Sequence, residues 1–281
     1  MIAALAFAVL SPSIPTGSSR LDLTIQGTPL EVYVYKPRSY RGERMIMVMH
    51  GTLRNADEYR DHSQRMAERF GALIVAPKFD ETRFPSRRYH RGGILREDGF
   101  AAPRSEWTYA FIPEIARKIR EQEGKPSLPF ILLGHSAGGQ FLVRLAGFYD
   151  TGAERIVAAN PGSDLFPTRD MPFGYGFGKL PAELSSDEVI RQYFAAPLTL
   201  YLGGSDNGYD EYLDTSKEAM AQGPGRRQRG QACFEFARNL AAARGWKFNW
   251  RLVIAPGVNH DHQQMFEHAQ ADVALLGRKL R

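Results

Sequence analysis

The chain has a single cysteine, Cys233, among its 281 residues, which excludes an intrachain disulfide and a thiolate-built metal centre. Long apolar runs are also missing. The clearest, Ile2 to Leu10, falls well short of the roughly 20 residues that span a bilayer, so no membrane span is expected. Nor is there a strong excess of one charge. Lys and Arg total 36 against 31 acidic residues, a net charge of +5 spread along the chain. The densest basic run, Arg226-Arg227-Gln228-Arg229, sits between glycines without aromatic interleaving and reads as a solvated loop, so nucleic acid is not an expected partner. Internal repeats and low-complexity linkers are absent as well. With a 43% apolar share, the composition suits one large α/β domain with a sizeable core.

What is present begins with alternation. Leu21 to Gln26 and Leu30 to Tyr35, split by Gly27-Thr28-Pro29, predict a leading antiparallel hairpin. Strands are expected at 45–49, 72–76, 130–133, 155–159, 198–202 and 248–254. Helices are expected at Asp57 to Phe70, Glu106 to Glu121, Gln140 to Tyr149, Gln231 to Arg244 and Gln263 to Leu280. That order implies a mostly parallel central sheet with helices on both faces.

One stretch carries most of the chemistry. The apolar run Phe130 to Leu133 enters Gly134-His135-Ser136-Ala137-Gly138, a G-x-S-x-G, and the spacing then turns helical with Phe141, Leu142, Leu145 and Phe148 on one side. Strand, sharp turn and helix is the context in which this pentapeptide presents a nucleophile, here Ser136. Gly134 and Gly138 fit positions where a Cβ would obstruct the crossing of the two arms. In this architecture an acid and a histidine follow, each behind its own strand. Asp206 lies in the loop after Pro197 to Leu202, and His260 in the loop after Phe248 to Ile254. Asp210 is the alternative acid and His262 the alternative base. An Asp in Gly203-Gly204-Ser205-Asp206-Asn207-Gly208 also suits an ordinary turn. The H-x-H of His260 and His262, with Asp261 and His268, admits a metal reading, but no matching ligand group sits elsewhere, and no metal is expected.

The oxyanion that develops at the substrate needs backbone donors. Met45 to Met49 is a buried-strand candidate followed by His50-Gly51-Thr52-Leu53. One N–H is assigned to Ala137, after the nucleophile, and the other to Thr52, with Leu53 in reserve. His50 precedes the serine on the wrong strand and reads as a structural histidine.

Met49-His50-Gly51-Thr52, Gly134-His135-Ser136-Ala137-Gly138-Gly139, Leu73 to Pro77, and Asp206 and His260 on their loops together resemble the α/β-hydrolase fold. Within that fold the chain is similar to the poly(3-hydroxybutyrate) depolymerase and feruloyl-esterase-like serine hydrolases, from about Leu30 onward. The resemblance implies carboxylic-ester hydrolysis through a Ser-Asp-His triad, no cofactor, and a small-molecule or oligomeric ester as substrate. An acyltransferase or serine peptidase on the same fold remains the enzymatic alternative, and a non-catalytic binding protein the alternative of another class.

Two insertions are candidates for specificity. Phe79 to Arg104 carries Arg83, Arg87, Arg88, Arg91, Arg96 and Arg104 among Phe84, Tyr89 and His90. Such a segment would attract a carboxylate-bearing substrate. The simpler expectation is a solvated loop whose arginines pair with Glu81, Glu97, Asp98 and Glu106. The second, a short cap-like insertion at about 160–196 between strands 6 and 7, contains glycines alternating with aromatics. Phe173, Tyr175 and Phe177 are expected to form an apolar wall over the substrate, with Leu53 and His135 as further contacts. Residues 1–19 read as a loose, apolar leading segment that resembles the end of a secretory signal without its charged start, and 20–281 as the single domain. A secreted or periplasmic protein is the expectation, with a cytoplasmic one open. Oligomeric state is not legible.

Overall fold

The computed structural model describes residues 13–277. The expected apolar run from Ile2 to Leu10 lies outside them, as does the end of the expected helix beyond Gly277. Residues 13–19 are not loose. Ile14 is buried, its N–H donates to Glu123 Oε1 at 3.0 Å, and its carbonyl accepts from Lys36 Nζ.

Eight strands form one sheet: β1 (Gly17–Ile25), β2 (Thr28–Lys36), β3 (Met45–Met49), β4 (Leu73–Pro77), β5 (Phe130–His135), β6 (Arg155–Ala159), β7 (Leu198–Gly203) and β8 (Arg251–Ala255). Their order in space is β1-β2-β4-β3-β5-β6-β7-β8. The hairpin β1–β2 and the β2–β4 pair are antiparallel, and the remaining pairs are parallel.

The parallel strands read as unbroken apolar runs because both faces of the sheet are covered. Alternate side chains enter two separate cores. Met45, Met47 and Met49 join Phe130 and Leu132 on one face, while Ile46 and Val48 join Ile131 and Leu133 on the other. Helices α3 (Phe111–Glu123), α4 (Ala137–Phe148), α5 (Ala182–Ser185), α6 (Asp187–Ala195) and α8 (Arg226–Arg244) contribute to the first core. Helices α1 (Ala56–His62), α2 (Gln64–Phe70), α9 (His262–Glu267) and α10 (Gln270–Leu276) contribute to the second. The short α7 (Lys217–Gln222) leads into α8.

Several expected elements differ. The helix expected over 57–70 is split at Ser63, whose buried hydroxyl donates back to the Tyr59 carbonyl at 2.7 Å and bends the chain. The C-terminal helix is broken at His268, whose Nδ1 accepts from the Gln270 N–H at the start of α10. The helix expected from Glu106 begins at Phe111, after short 3₁₀ turns at Arg104–Glu106 and Thr108–Ala110. The strand expected from Phe248 begins only at Arg251, because Asn249 is instead bonded through its N–H to the Phe194 carbonyl and through its amide to Ala195. The basic run at 226–229 is not a solvated loop: it is the first turn of α8, with Arg226 and Arg229 fully buried. The cap-like insertion contributes α5 and α6, with Tyr193 and Phe194 buried in the core. Among the described residues, no helix is long and apolar enough to cross a membrane.

Candidate active site

Ser136 sits at the turn between β5 and α4 with φ 56° and ψ −116°, a conformation that L-residues rarely adopt. The crossing at this turn is tight. A Cβ on Gly134 would lie 2.4 Å from the Gly138 carbonyl oxygen, and one on Gly138 would lie 2.2 Å from the Met49 carbonyl oxygen. Only glycine fits at either place, so both glycines hold the serine above the sheet. Ala137 opens α4, and its helix directs a positive dipole end at the turn.

The loop after β3 lies alongside. A Cβ on Gly51 would meet the Tyr59 hydroxyl at 2.6 Å and would stand 3.8 Å from Ser136 Cβ. This glycine therefore lets the main chain approach Ser136. Thr52, Ser136 and Ala137 line the same cleft, which encloses about 420 Å³. His50 shapes the loop from below. It is fully buried, its Nδ1–H donates to the Gly51 carbonyl at 2.9 Å, and its Nε2 accepts from the Phe79 N–H at 3.0 Å. Burial pushes its pKa down to about 3, so it is neutral in its structural role.

Asp206 and His260 are brought together from the ends of β7 and β8. His260 Nδ1 lies 2.8 Å from Asp206 Oδ2, with the carboxylate 1% and the imidazole 17% exposed. The second carboxylate oxygen of Asp206 accepts no hydrogen bond but stands 3.5 Å from Arg226 Nη1. The alternative acid is otherwise occupied. Asp210 forms a bidentate pair with Arg226, at 2.6 and 2.7 Å, and this pairing lowers its pKa. The alternative base is also turned away. His262 stacks on Tyr59 with ring centroids 4.0 Å apart, and its Nε2 is 2.7 Å from His62 Nδ1. Burial lowers the pKa of His262 to about 4. His260 and His262 thus do not converge on one ion. Among the described residues, Glu58, His62 and His262 form the one group of potential ligands that does converge, outside the serine cleft.

Other expected contacts lie elsewhere. Phe173 and Phe177 pack against Phe148 in the core, at ring distances of 5.7 and 5.2 Å, so they anchor the insertion instead of walling the cleft. Of the three aromatics, Tyr175 alone lines it. Leu53 is 65% exposed and outside the cleft. His135 is buried behind the serine, where its Nδ1 shares a hydrogen bond with the Tyr59 hydroxyl and its ring lies 4.6 Å from that of His260. Its burial, with His260 and His262 nearby, holds its pKa well below the usual histidine range.

The structure also shows residues that the sequence did not single out. Asn160, at φ 43° just after β6, accepts from the Gly203 N–H and donates to the Asn259 carbonyl, tying the Asp206 loop to the His260 loop. The residue preceding Pro161 at a strand end was the available clue. Arg226 braces Asp206 from within α8, and Arg144 enters the cleft from α4.

Asp164 is fully buried beside this region, and neither of its carboxylate oxygens accepts a hydrogen bond. Burial pushes its pKa up to about 7 against the pull of Arg144 and Arg229. An unfolded aspartate ionises near pH 4. Across the window from about 4 to about 7 the folded state therefore holds the extra proton, and stability falls as pH rises before levelling. Asp164→Asn cannot ionise, so in melting curves from pH 4.5 to 8 the variant should gain on the wild type across that window, by on the order of a few kcal/mol. A difference that does not change with pH would place the titration on another group.

No family model matches the chain, and no curated protein does. Solved structures do. A poly(aspartic acid) hydrolase from Sphingomonas sp. KT-1 is 32% identical, with a TM-score of 0.85 over 92% of this chain and 98% of the other. A poly(3-hydroxybutyrate) depolymerase from Bordetella parapertussis is 31% identical, with a TM-score of 0.86 over 95% of this chain and 93% of the other. An S-formylglutathione hydrolase from Staphylococcus aureus, 13% identical at a TM-score of 0.55 over 92% and 97% of the two chains, shares the fold alone. With this identity over nearly its whole length, the chain belongs to the α/β-hydrolase family of serine hydrolases.

Proposed function

We propose that the protein is a serine carboxylic-ester hydrolase acting through an acyl-enzyme, with Ser136 as nucleophile, His260 as general base and Asp206 as the acid that orients it. The observation that carries this reading is the Asp206–His260 pair at 2.8 Å, whose imidazole ring lies 4.6 Å from that of His135, the residue directly before a serine on a strained strand-to-helix turn. The carboxylate accepts the Nδ1–H, which fixes the tautomer and leaves Nε2 free to take the Ser136 proton. As Ser136 Oγ bonds to the substrate carbonyl, the oxyanion is received by the N–H groups of Ala137 and Thr52. His260 then protonates the departing alcohol, water enters, and the same steps release the acid.

The relatives are named for poly(3-hydroxybutyrate), a polyester, and for poly(aspartic acid). An ester is preferred here because an alkoxide leaves with less protonation than an amine. Aspartate oligomers, suggested by the second name, are the next substrate to try.

The test is hydrolysis of p-nitrophenyl esters from acetate to dodecanoate, methyl ferulate and 3-hydroxybutyrate oligomers, alongside labelling with a fluorophosphonate probe. Turnover, with the label on Ser136, is the expected result. A folded protein that hydrolyses none of these and takes no label would favour the non-catalytic reading. A labelled serine without ester turnover would favour the peptidase or acyltransferase.

A further inference from the structure

We infer that the cleft holding Ser136 contains a carboxylate-binding subsite, built on Arg91 with the buried charge of Arg144 behind it, and that the substrates of this hydrolase carry a free carboxylate several bonds from the carbonyl under attack. The inference rests on the hydrolase reading above for the reaction, and on the charges of the cleft for the substrate.

Four arginines line the cleft against one acid, Asp214, which already accepts from the Tyr175 hydroxyl at 2.7 Å. Two of the four are committed. Arg226 is held by Asp210 and Asp206, and Arg87 reaches Glu97 at 3.2 Å. Arg91 and Arg144 are different: among the described residues neither has a carboxylate within ion-pair distance.

Arg144 is 1% exposed, and its partners are neutral. Nη1 donates to the Gln140 carbonyl at 2.9 Å and to the Ser163 carbonyl at 3.5 Å, and Nη2 donates to Ser163 Oγ at 3.0 Å and to the Gly174 carbonyl, while Nε is buried without a partner, so Arg144 acts on the cleft through its charge. Asp164 is close enough to influence it, yet makes no hydrogen bond to it. A buried guanidinium lacking a bonded counter-ion is costly unless a ligand supplies one. Arg91 arrives from the arginine-rich insertion and lies across the Tyr175 ring, its guanidinium carbon 5.8 Å from the centroid. A Cβ on Gly174 would come within 2.9 Å of Arg91 Nε, so the bare backbone there admits the arginine. The insertion is thus only partly a solvated loop. Arg83 and Arg87 pair as an exposed loop would, with Asp80 and Glu97, and Arg91 faces the nucleophile's cleft.

The distance follows from the helix. Ser136 immediately precedes α4 and Arg144 is eight residues along the chain, about 12 Å in rise, with a side chain tilted back towards the helix start. A carboxylate drawn to that end of the cleft belongs to a flexible acyl or alcohol group, not to a group adjacent to the reacting carbonyl. Planar guanidinium donors suit a carboxylate.

The experiment pairs substrates that differ in one charge. On the acyl side, the mono-p-nitrophenyl ester of adipic acid is set against p-nitrophenyl hexanoate. On the alcohol side, 4-carboxyphenyl hexanoate is set against phenyl hexanoate. The expected result is a charged-over-neutral ratio in kcat/KM of at least tenfold in one arm, which also locates the carboxylate, with the ratio shrinking as salt is raised. Arg91→Gln should reduce that ratio at least fivefold, and Arg144→Gln further if it folds. Arg88→Gln, outside this cleft, should leave the ratio where it was. Isothermal titration of adipate into the Ser136→Ala protein is a readout independent of turnover, and binding should be lost in the Ser136→Ala, Arg91→Gln double variant. Neutral esters hydrolysed with no charged preference in either arm, or a ratio indifferent to Arg91, would overturn the subsite and leave the hydrolase standing. If no ester is turned over, adipate binding that depends on Arg91 still supports the subsite, and its absence overturns it.

Discussion

Replacing Ser136 with alanine should lower kcat on any ester the wild type hydrolyses by about 10⁴–10⁶-fold, with little change in melting temperature. The size follows from what is removed. Without Oγ there is no acyl-enzyme, and water must attack the carbonyl directly with only the oxyanion donors and binding to help. The small stability change follows from the local structure. Serine and alanine both carry a Cβ, so the strain at φ 56° is shared by the two forms, and the Ser136 hydroxyl does not cap α4. The measurement is a steady-state rate beside a thermal melt and a fluorophosphonate label. Residual activity above about a hundredth of wild type, or a label that persists, would remove Ser136 from the role.

The turn that carries Ser136 was legible from sequence because it is a local object. A strand of apolar residues, two glycines four apart and a helix with one apolar side lie within a single run of chain, and each is forced by sterics that act over a few residues. The parallel strands were legible for a related reason: burial on both faces leaves runs such as Met45 to Met49 without a polar break. Where helices break was less so. The Ser63 kink depends on one hydroxyl turning back to a carbonyl, and serine elsewhere in a helix can face solvent instead. The aromatics of the insertion show a further limit. Phe173, Tyr175 and Phe177 alternate with glycines, yet the pattern says nothing of which side faces inward; packing on Phe148 takes two of them into the core and leaves Tyr175 to the cleft. Buried charge was the least visible. Arg226 and Arg144 are ordinary helical residues by propensity, and only the fold reveals that one meets two aspartates and the other meets none.

The choice between the two acids tests that last point. Asp206→Asn should cut kcat by about 10⁴-fold, because an amide facing Nδ1 can present its own N–H and favour the tautomer whose Nε2 carries the proton, leaving no base beside Ser136. Asp210→Asn should cost no more than about tenfold, since Asp210 meets the substrate machinery only through Arg226. Its effect should be visible in the melting temperature instead. Once Asp210 gives up its charge, the Arg226 guanidinium, 1% exposed, has only Asp206 at 3.5 Å to balance it, and a buried charge short of a partner costs stability. Arg226→Met joined to Asp210→Asn removes that cation along with its partner, and the melting temperature should recover in part. Equal losses in the two single variants would mean that the aspartates act as one unit around Arg226. A larger loss at Asp210 would reverse the assignment of the acid.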